Sequence, residues 1–423
     1  MDLAIAAGLG VAMGVVPAER VERTLFVGEL SLDGKIESVP GILAIADFAQ
    51  REGFDRWVLP YGNEPTARLI FEGTTIAVRD LSALFAVLRG ESTWVSQEAR
   101  AVRRERDPKE GDWSEVAGQA QAKRALEIAA AGNHHVMMVG PPGVGKTFLA
   151  RRFGSILPEW TKEEWVERMK AFGWASDVDE ARRAVRTPHH SASVAGMTGG
   201  GKPFRPGEFA LAHKGVLFLD EMTEFRRDVL EALRQPLESG MVSVSRSEGV
   251  FRMPSEFVLI GACNYCPCGA FGDEGRVCRC SARAIEKYAG KLSSPIRDRI
   301  DLTLELIRPT FQEVWETSSR PSSADVRGIV EAARDRQSRR NPGGVTNARL
   351  SGRELRAALR LGDRADGFLA TIQRKWKWSV RGLEKTLRVS RTIADLAGRD
   401  GVETEDLSEA LQYRSIRKWD ELR

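Results

Sequence analysis

Few segments of eight residues restrict a fold as severely as Gly140-Pro141-Pro142-Gly143-Val144-Gly145-Lys146-Thr147. The apolar run Val136–Val139 precedes it and a helical pattern follows, which is the context in which G-x-x-x-x-G-K-[ST] has physical meaning. The glycines let successive backbone N–H groups curl around a phosphate, and the helix start adds partial positive charge. In such a loop Gly140, Pro141, Pro142, Gly143, Val144 and Gly145 form the cradle. Lys146 reaches the β- and γ-phosphates, and the Thr147 hydroxyl takes one position on Mg²⁺.

A second apolar run, Val216–Leu219, ends in Asp220-Glu221. At the C-terminal edge of a strand, Asp220 can hold the Mg²⁺ shell through water and Glu221 can polarise an attacking water. Alone, such a pair reads as a helix start; beside the phosphate loop it reads as a hydrolysis site. A third run, Phe257–Cys263, ends at Asn264, whose amide can orient the lytic water, although in isolation it would read as a turn residue. Short β-branched and Leu/Phe-rich runs of this kind, alternating with helices, predict a parallel sheet covered on both faces.

The 423 residues suggest two to four domains, at roughly 100–200 residues each. With 42% hydrophobic and 29% charged residues, the chain is neither disordered, collagen-like nor a disulfide scaffold. No apolar run reaches the ~18 residues of a membrane helix. Leu3–Val16 is apolar, but Asp2 stands where a signal peptide would carry basic charge, so a cytoplasmic location is expected. Net charge is −5 over residues 1–92, +3 over 93–308 and +6 over 309–423, which permits a polyanionic partner without requiring one.

Residues 1–92 read as a small α/β unit: helices at Leu3–Met13 and Ile42–Arg51, a strand over Thr24–Glu29, a turn at Ser31–Gly34 and a buried strand at Trp57–Pro60. Residues 93–112 read as a charged linker or, in their first half, a solvated helix. The core spans 113–308. Residues 309–423 are helical in pattern, with segments at Asp325–Arg340, Ser351–Leu361, Asp363–Lys375, Val380–Gly398 and Thr404–Arg414; Thr404 reads as a cap.

All five cysteines lie within Cys263–Cys280, which fits a reducing compartment and a local feature. Cys266-x-Cys268 and Cys278-x-Cys280 could enclose a structural Zn²⁺. Reduced thiols and a redox-formed bridge are the alternatives. Cys263 reads as packing.

With these elements aligned, the sequence resembles the Mg-chelatase-like AAA+ ATPases of the ComM/YifB family. The resemblance rests on Thr187-Pro188-His189-His190-Ser191-Ala192-Ser193, Pro206-Gly207-Glu208, Leu211-Ala212-His213, Cys266-Pro267-Cys268-Gly269, Asp298-Arg299-Ile300-Asp301, Asn347-Ala348-Arg349-Leu350 and Arg391–Leu396, and it spans essentially the whole chain. It implies an α/β fold: an AAA+ P-loop parallel-sheet core with a C-terminal helical lid, preceded by a partial Lon-protease-like (ribosomal S5 domain 2-like) domain. ATP and Mg²⁺ are the implied cofactors.

The resemblance also implies that Arg299 is an arginine finger supplied to the neighbouring subunit, although by itself it reads equally as an ion pair with Asp298 or Asp301. Arg381 matches the lid arginine that touches the γ-phosphate. Together they imply a ring, a hexamer in this family. Two inserts match segments that face the ring's pore: Gly199–Arg205, and a β-hairpin over Met241–Met253. Lys202, Arg205, Arg246 and Arg252 would then contact single-stranded or branched DNA through its phosphates; otherwise they keep loops solvated.

The front domain matches through Asp2–Ala6 and Gly28–Gly34, but the chain starts too late for the family's serine, and Ile42–Ala46 lacks the lysine, so a Ser–Lys dyad is not expected. A DNA translocase or branch-migration motor in recombination of transforming DNA is the expected function. A Mg-chelatase-type remodelling chaperone and a protease-like ATPase without its dyad are the competing readings.

Overall fold

The computed structural model describes residues 2–92, 111–172, 185–202, 204–247, 249–273, 275–315, 320–376, 379–414, 416 and 419. The expected linker at 93–112 lies outside them apart from Gly111 and Asp112. Residues up to 92 group with 160–172 in one compact unit; 111–159 group with those from 185 onward in another.

The first unit is built on a parallel sheet ordered Thr24–Phe26, Arg56–Pro60, Thr74–Val78. Leu3 and Ala7 of the helix Asp2–Ala12 pack with Val58, Val78, Leu84 and Leu88 into its core. Asp80 accepts the Ala83 N–H at 2.8 Å and so caps the helix Leu81–Arg89. The strand expected over Thr24–Glu29 is shorter: it ends at Phe26, and Glu29–Leu30 turns away to pair antiparallel with Ile36–Glu37. The helix Lys162–Phe172 packs on Ile42–Arg51, with Trp165 buried and the Arg168 guanidinium 4.9 Å from the Trp160 ring centroid. The expected 113–308 core is therefore interrupted by a segment that joins the front unit.

The second unit holds a five-stranded, wholly parallel sheet. Its order is Leu302–Glu305, Val136–Val139, Val258–Cys263, Val216–Leu219, Val185–Arg186. Every residue of the three central strands is buried, as the continuous apolar runs require. Register pairs Val139 with Cys263 and Leu219 with Gly261, so the residues that follow, Gly140, Asn264 and Asp220, emerge along one edge. In open α/β sheets that edge is where ligands sit.

The helices Ser323–Arg340, Gly352–Leu359, Asp363–Trp376, Val380–Leu396 and Thr404–Gln412 follow. They do not separate from the sheet as a compact unit. Arg334 donates to the Ala130 carbonyl, Gln337 to that of Ala131, and His134 meets Thr392 at 2.8 Å. The last helix is capped by Glu403, which exchanges bonds with Asp406, rather than by Thr404: the longer carboxylate reaches the first-turn amides from one residue further out.

Candidate nucleotide site

The loop between Val139 and Lys146 is held open by backbone conformation. Gly143 (φ +79°) and Gly145 (φ +96°) lie in the left-handed region, and no atom lies within 4 Å of where a side chain would start on either. Gly140 has the opposite reason for being glycine: a Cβ there would come within 2.6 Å of the Leu306 carbonyl oxygen. Val144 is buried and anchors the loop from below.

Three strand ends converge on this loop. Lys146 Nζ donates to the Gly140 and Pro141 carbonyls at 2.6 and 2.9 Å and to Asn264 Oδ1 at 3.0 Å. Thr147 Oγ1 donates to Asp220 Oδ2 at 2.7 Å. Burial pushes the Lys146 ammonium below its usual range, against the opposing pull of Cys263, Asp220 and Glu221. Glu221 is exposed and stands at φ +47°, a strained setting for a residue with a side chain and one that recurs at functional sites. The donor set fits a magnesium-bound triphosphate: an open amide cradle, one ammonium, and a hydroxyl beside a carboxylate.

Arg299 stands apart from this cluster. Its Nη1 donates to the Pro295 carbonyl at 2.7 Å and its Nη2 pairs with Glu238 Oε2 at 2.7 Å. The ion pair expected with Asp298 or Asp301 is therefore made with Glu238, because Asp301 turns inward toward His134 and the His135 amide. Arg381 is the second residue of Val380–Leu396. It is exposed, with no hydrogen bond or ion pair among the described residues.

The two inserts meet. Strands Met241–Arg246 and Gly249–Pro254 form the expected hairpin, and Phe251 stacks on Phe204 with ring centroids 4.2 Å apart. A Cβ on Gly200 would lie 2.6 Å from Arg246 Nη2, so that guanidinium lies over the Gly199–Gly200 strand. Lys202, Arg205, Arg246 and Arg252 are all exposed. Arg246 shares a hairpin face with Val244 and Phe251 whereas Arg252 lies on the other, so the basic residues do not form a single row.

Cys266, Cys268, Cys278 and Cys280 come together, with all four sulfurs within 4.8 Å of one another. Cys263 is buried in its strand, where burial pushes its thiol up to about 12.

Three positioning residues were not singled out by the sequence reading. Gln119 (φ +55°) donates through Nε2 to the Val144 and Ile307 carbonyls, tying the phosphate loop to the chain after the last strand. Lys385 donates to the carbonyls of Arg297 and Ile300, bracing the turn that carries Arg299 from the helix that carries Arg381. Glu238 holds Arg299. Gly118-Gln119 ahead of a helix was the one local sign; the other two depend on tertiary packing.

A family model described as magnesium chelatase subunit ChlI matches residues 112–314, its C-terminal counterpart matches 320–414, and a further model of a subunit of Mg-chelatase matches 1–63. An uncharacterized protein of Mycobacterium tuberculosis is 39% identical over 422 residues, covering 98% of this chain and 83% of the relative. YifB of Escherichia coli is 37% identical over 421 residues (98% and 82%), and the competence protein ComM of Haemophilus influenzae 36% over 425 (98% and 82%).

Proposed function

The chain belongs to the Mg-chelatase-like ComM/YifB family of AAA+ ATPases, and from that premise we propose that it is an ATP-hydrolysing motor working as a hexameric ring on single-stranded or branched DNA. The observation that carries the ATPase reading is the convergence of Lys146, Thr147, Asp220 and Asn264 at one sheet edge within hydrogen-bonding distance. Bound magnesium would draw charge from the phosphates, with Thr147 and Asp220 holding it. Lys146 exchanges its loop carbonyls for phosphate oxygens while Asn264 keeps its ammonium aimed. Glu221, exposed beyond Asp220, accepts the proton of the attacking water. Arg299 reaches the neighbour's triphosphate and Arg381 its own.

The DNA reading is supported by the joined inserts, which expose Lys202, Arg205, Arg246 and Arg252 around the Phe204–Phe251 stack on both faces of the hairpin, and by the competence name of the Haemophilus relative. Contacts of this kind neutralise phosphates and do not read bases. Replacing Arg246 and Arg252 with Glu should remove stimulation of ATP hydrolysis by single-stranded DNA while leaving basal hydrolysis intact. Undiminished stimulation would remove DNA from the proposal. The magnesium-chelatase matches favour a second reading, an ATP-driven chaperone for a metal-insertion partner. Co-purification with a chelatase large subunit, without DNA binding at low salt, would select it.

A further inference from the structure

We propose that Cys266, Cys268, Cys278 and Cys280 hold one Zn²⁺ ion, and that this ion locks the segment after Asn264 against the phosphate loop. The sulfurs of Cys266 and Cys268 are 3.4 Å apart, and each lies 3.7 Å from that of Cys278. Tetrahedral zinc with Zn–S bonds of ~2.3 Å sets sulfur–sulfur edges of about 3.8 Å. A disulfide needs ~2.05 Å. These three thiols therefore stand near the separation of a shared ion and well beyond that of a bridge, and the Cys280 sulfur lies within 4.8 Å of each. The Phe271 N–H also donates to Cys266 Sγ at 3.3 Å, the kind of outer contact that orients a thiolate ligand.

Ala270 and Asp273 are buried and Phe271 packs on the core, so the segment is anchored at its middle. Beyond that anchor Gly275, Arg276 and Val277 are exposed on the way to the second cysteine pair. An ion would tie that exposed stretch back to Cys266 and Cys268. Ligation releases each thiol proton to solvent and leaves a site of net charge −2, flanked in sequence by the cations Arg276 and Arg279.

The position of this cluster links it to ATP chemistry. Cys266 follows Asn264 by two residues, and Asn264 aims Lys146. Gly269 (φ +74°) is packed so closely on the phosphate loop that a Cβ would come 2.8 Å from Pro142 Cγ. One flank and the middle are pinned: Tyr265 donates to Glu305 at 3.0 Å, Trp419 Nε1 to the Tyr265 carbonyl at 3.0 Å, and Arg308 pairs with buried Asp273 between the cysteine pairs at 2.9 Å. Between these pins the cysteine knot decides how Gly269 and Asn264 meet the loop.

The metal half of this proposal stands on the sulfurs; the coupling half rests on the ATPase reading. Full-length protein purified with a reductant and no chelator should carry about one zinc per chain by elemental mass spectrometry. The Cys278→Ser/Cys280→Ser double variant should carry none and should hydrolyse ATP roughly tenfold to a hundredfold more slowly. Its affinity for a fluorescent ATP analogue should hold, which also shows that it folds. Cys280→His, which keeps a zinc ligand, should restore both metal and rate. Wild-type protein without zinc, with iron in its place, or with fewer than its five thiols free after unfolding in chelator overturns the site. A zinc-free variant hydrolysing at the wild-type rate overturns the coupling alone. If the zinc-loaded wild type hydrolyses nothing, the ATPase reading fails while the stoichiometry still decides the metal.

Discussion

Mixing two inactive variants isolates the role of Arg299. In its own chain the guanidinium touches Pro295 and Glu238 and no residue of the phosphate loop, and its side chain is 16% exposed while that of Glu238 is 60% exposed. An ion pair with one partner open to solvent is worth on the order of 1 kcal/mol. A finger that accelerates phosphoryl transfer by roughly 10³–10⁵ supplies about 4–7 kcal/mol to the transition state. Release from Glu238 is thus a small cost, and the pair does not disable a finger acting on a neighbour. Lys146→Ala rings should be inactive for want of a triphosphate site, and Arg299→Ala rings for want of a finger. Reassembled together in equal amounts, a site is competent when its own chain keeps Lys146 and the donating neighbour keeps Arg299. With independent sites, about a quarter of the wild-type rate of phosphate release should return. No recovery in rings shown by light scattering to contain both chains would refute the trans assignment.

Asn264→Ala should leave nucleotide affinity within about threefold and slow hydrolysis roughly tenfold to a hundredfold, because Lys146 loses the acceptor that aims it; unchanged turnover, measured by phosphate release, would show that Asn264 is only packing. Acid should destabilise the fold through His135, whose Nδ1 accepts the Leu259 N–H at 3.0 Å and whose desolvation pushes its pKa down from 6.5 to about 4. Between those two values the unfolded chain binds a proton that the folded chain refuses, so stability falls as pH drops through that window, by up to about 3 kcal/mol. His135→Asn should flatten the melting temperature between pH 6.5 and 4, and an unchanged slope would exclude this source. Asp301 acts lower down: burial raises its pKa, but the His134 hydrogen bond and nearby positive charge prevail and hold it at about 2, so its contribution persists above 3.8 and is lost only toward pH 2.

What the sequence made legible was the chemistry tied to backbone geometry. Glycines flanking a lysine and threonine need a strand before and a helix after, and that context places Gly140–Thr147, Asp220 and Asn264 at neighbouring strand ends once a parallel sheet is granted. The Met241–Met253 hairpin was visible in alternating residues. Partners chosen by packing were not visible. Glu238 meets Arg299 because a helix sixty residues upstream folds beside it, and nothing in Asp298-Arg299-Ile300-Asp301 excludes the two nearer acids. The assignment of 160–172 to the front unit was hidden for the same reason: nothing in the sequence around Trp165 and Arg168 tells which core receives them. The cap at Glu403 differs from Thr404 by one residue, a choice between two competent side chains.

ATP hydrolysis by full-length protein, compared with Glu221→Gln, tests the central claim most directly. The wild type should bind ATP with magnesium and release phosphate, while Glu221→Gln should bind as tightly and hydrolyse at least about a hundredfold more slowly. A wild-type chain that binds no nucleotide, or a Gln variant that turns over at the wild-type rate, would contradict the account.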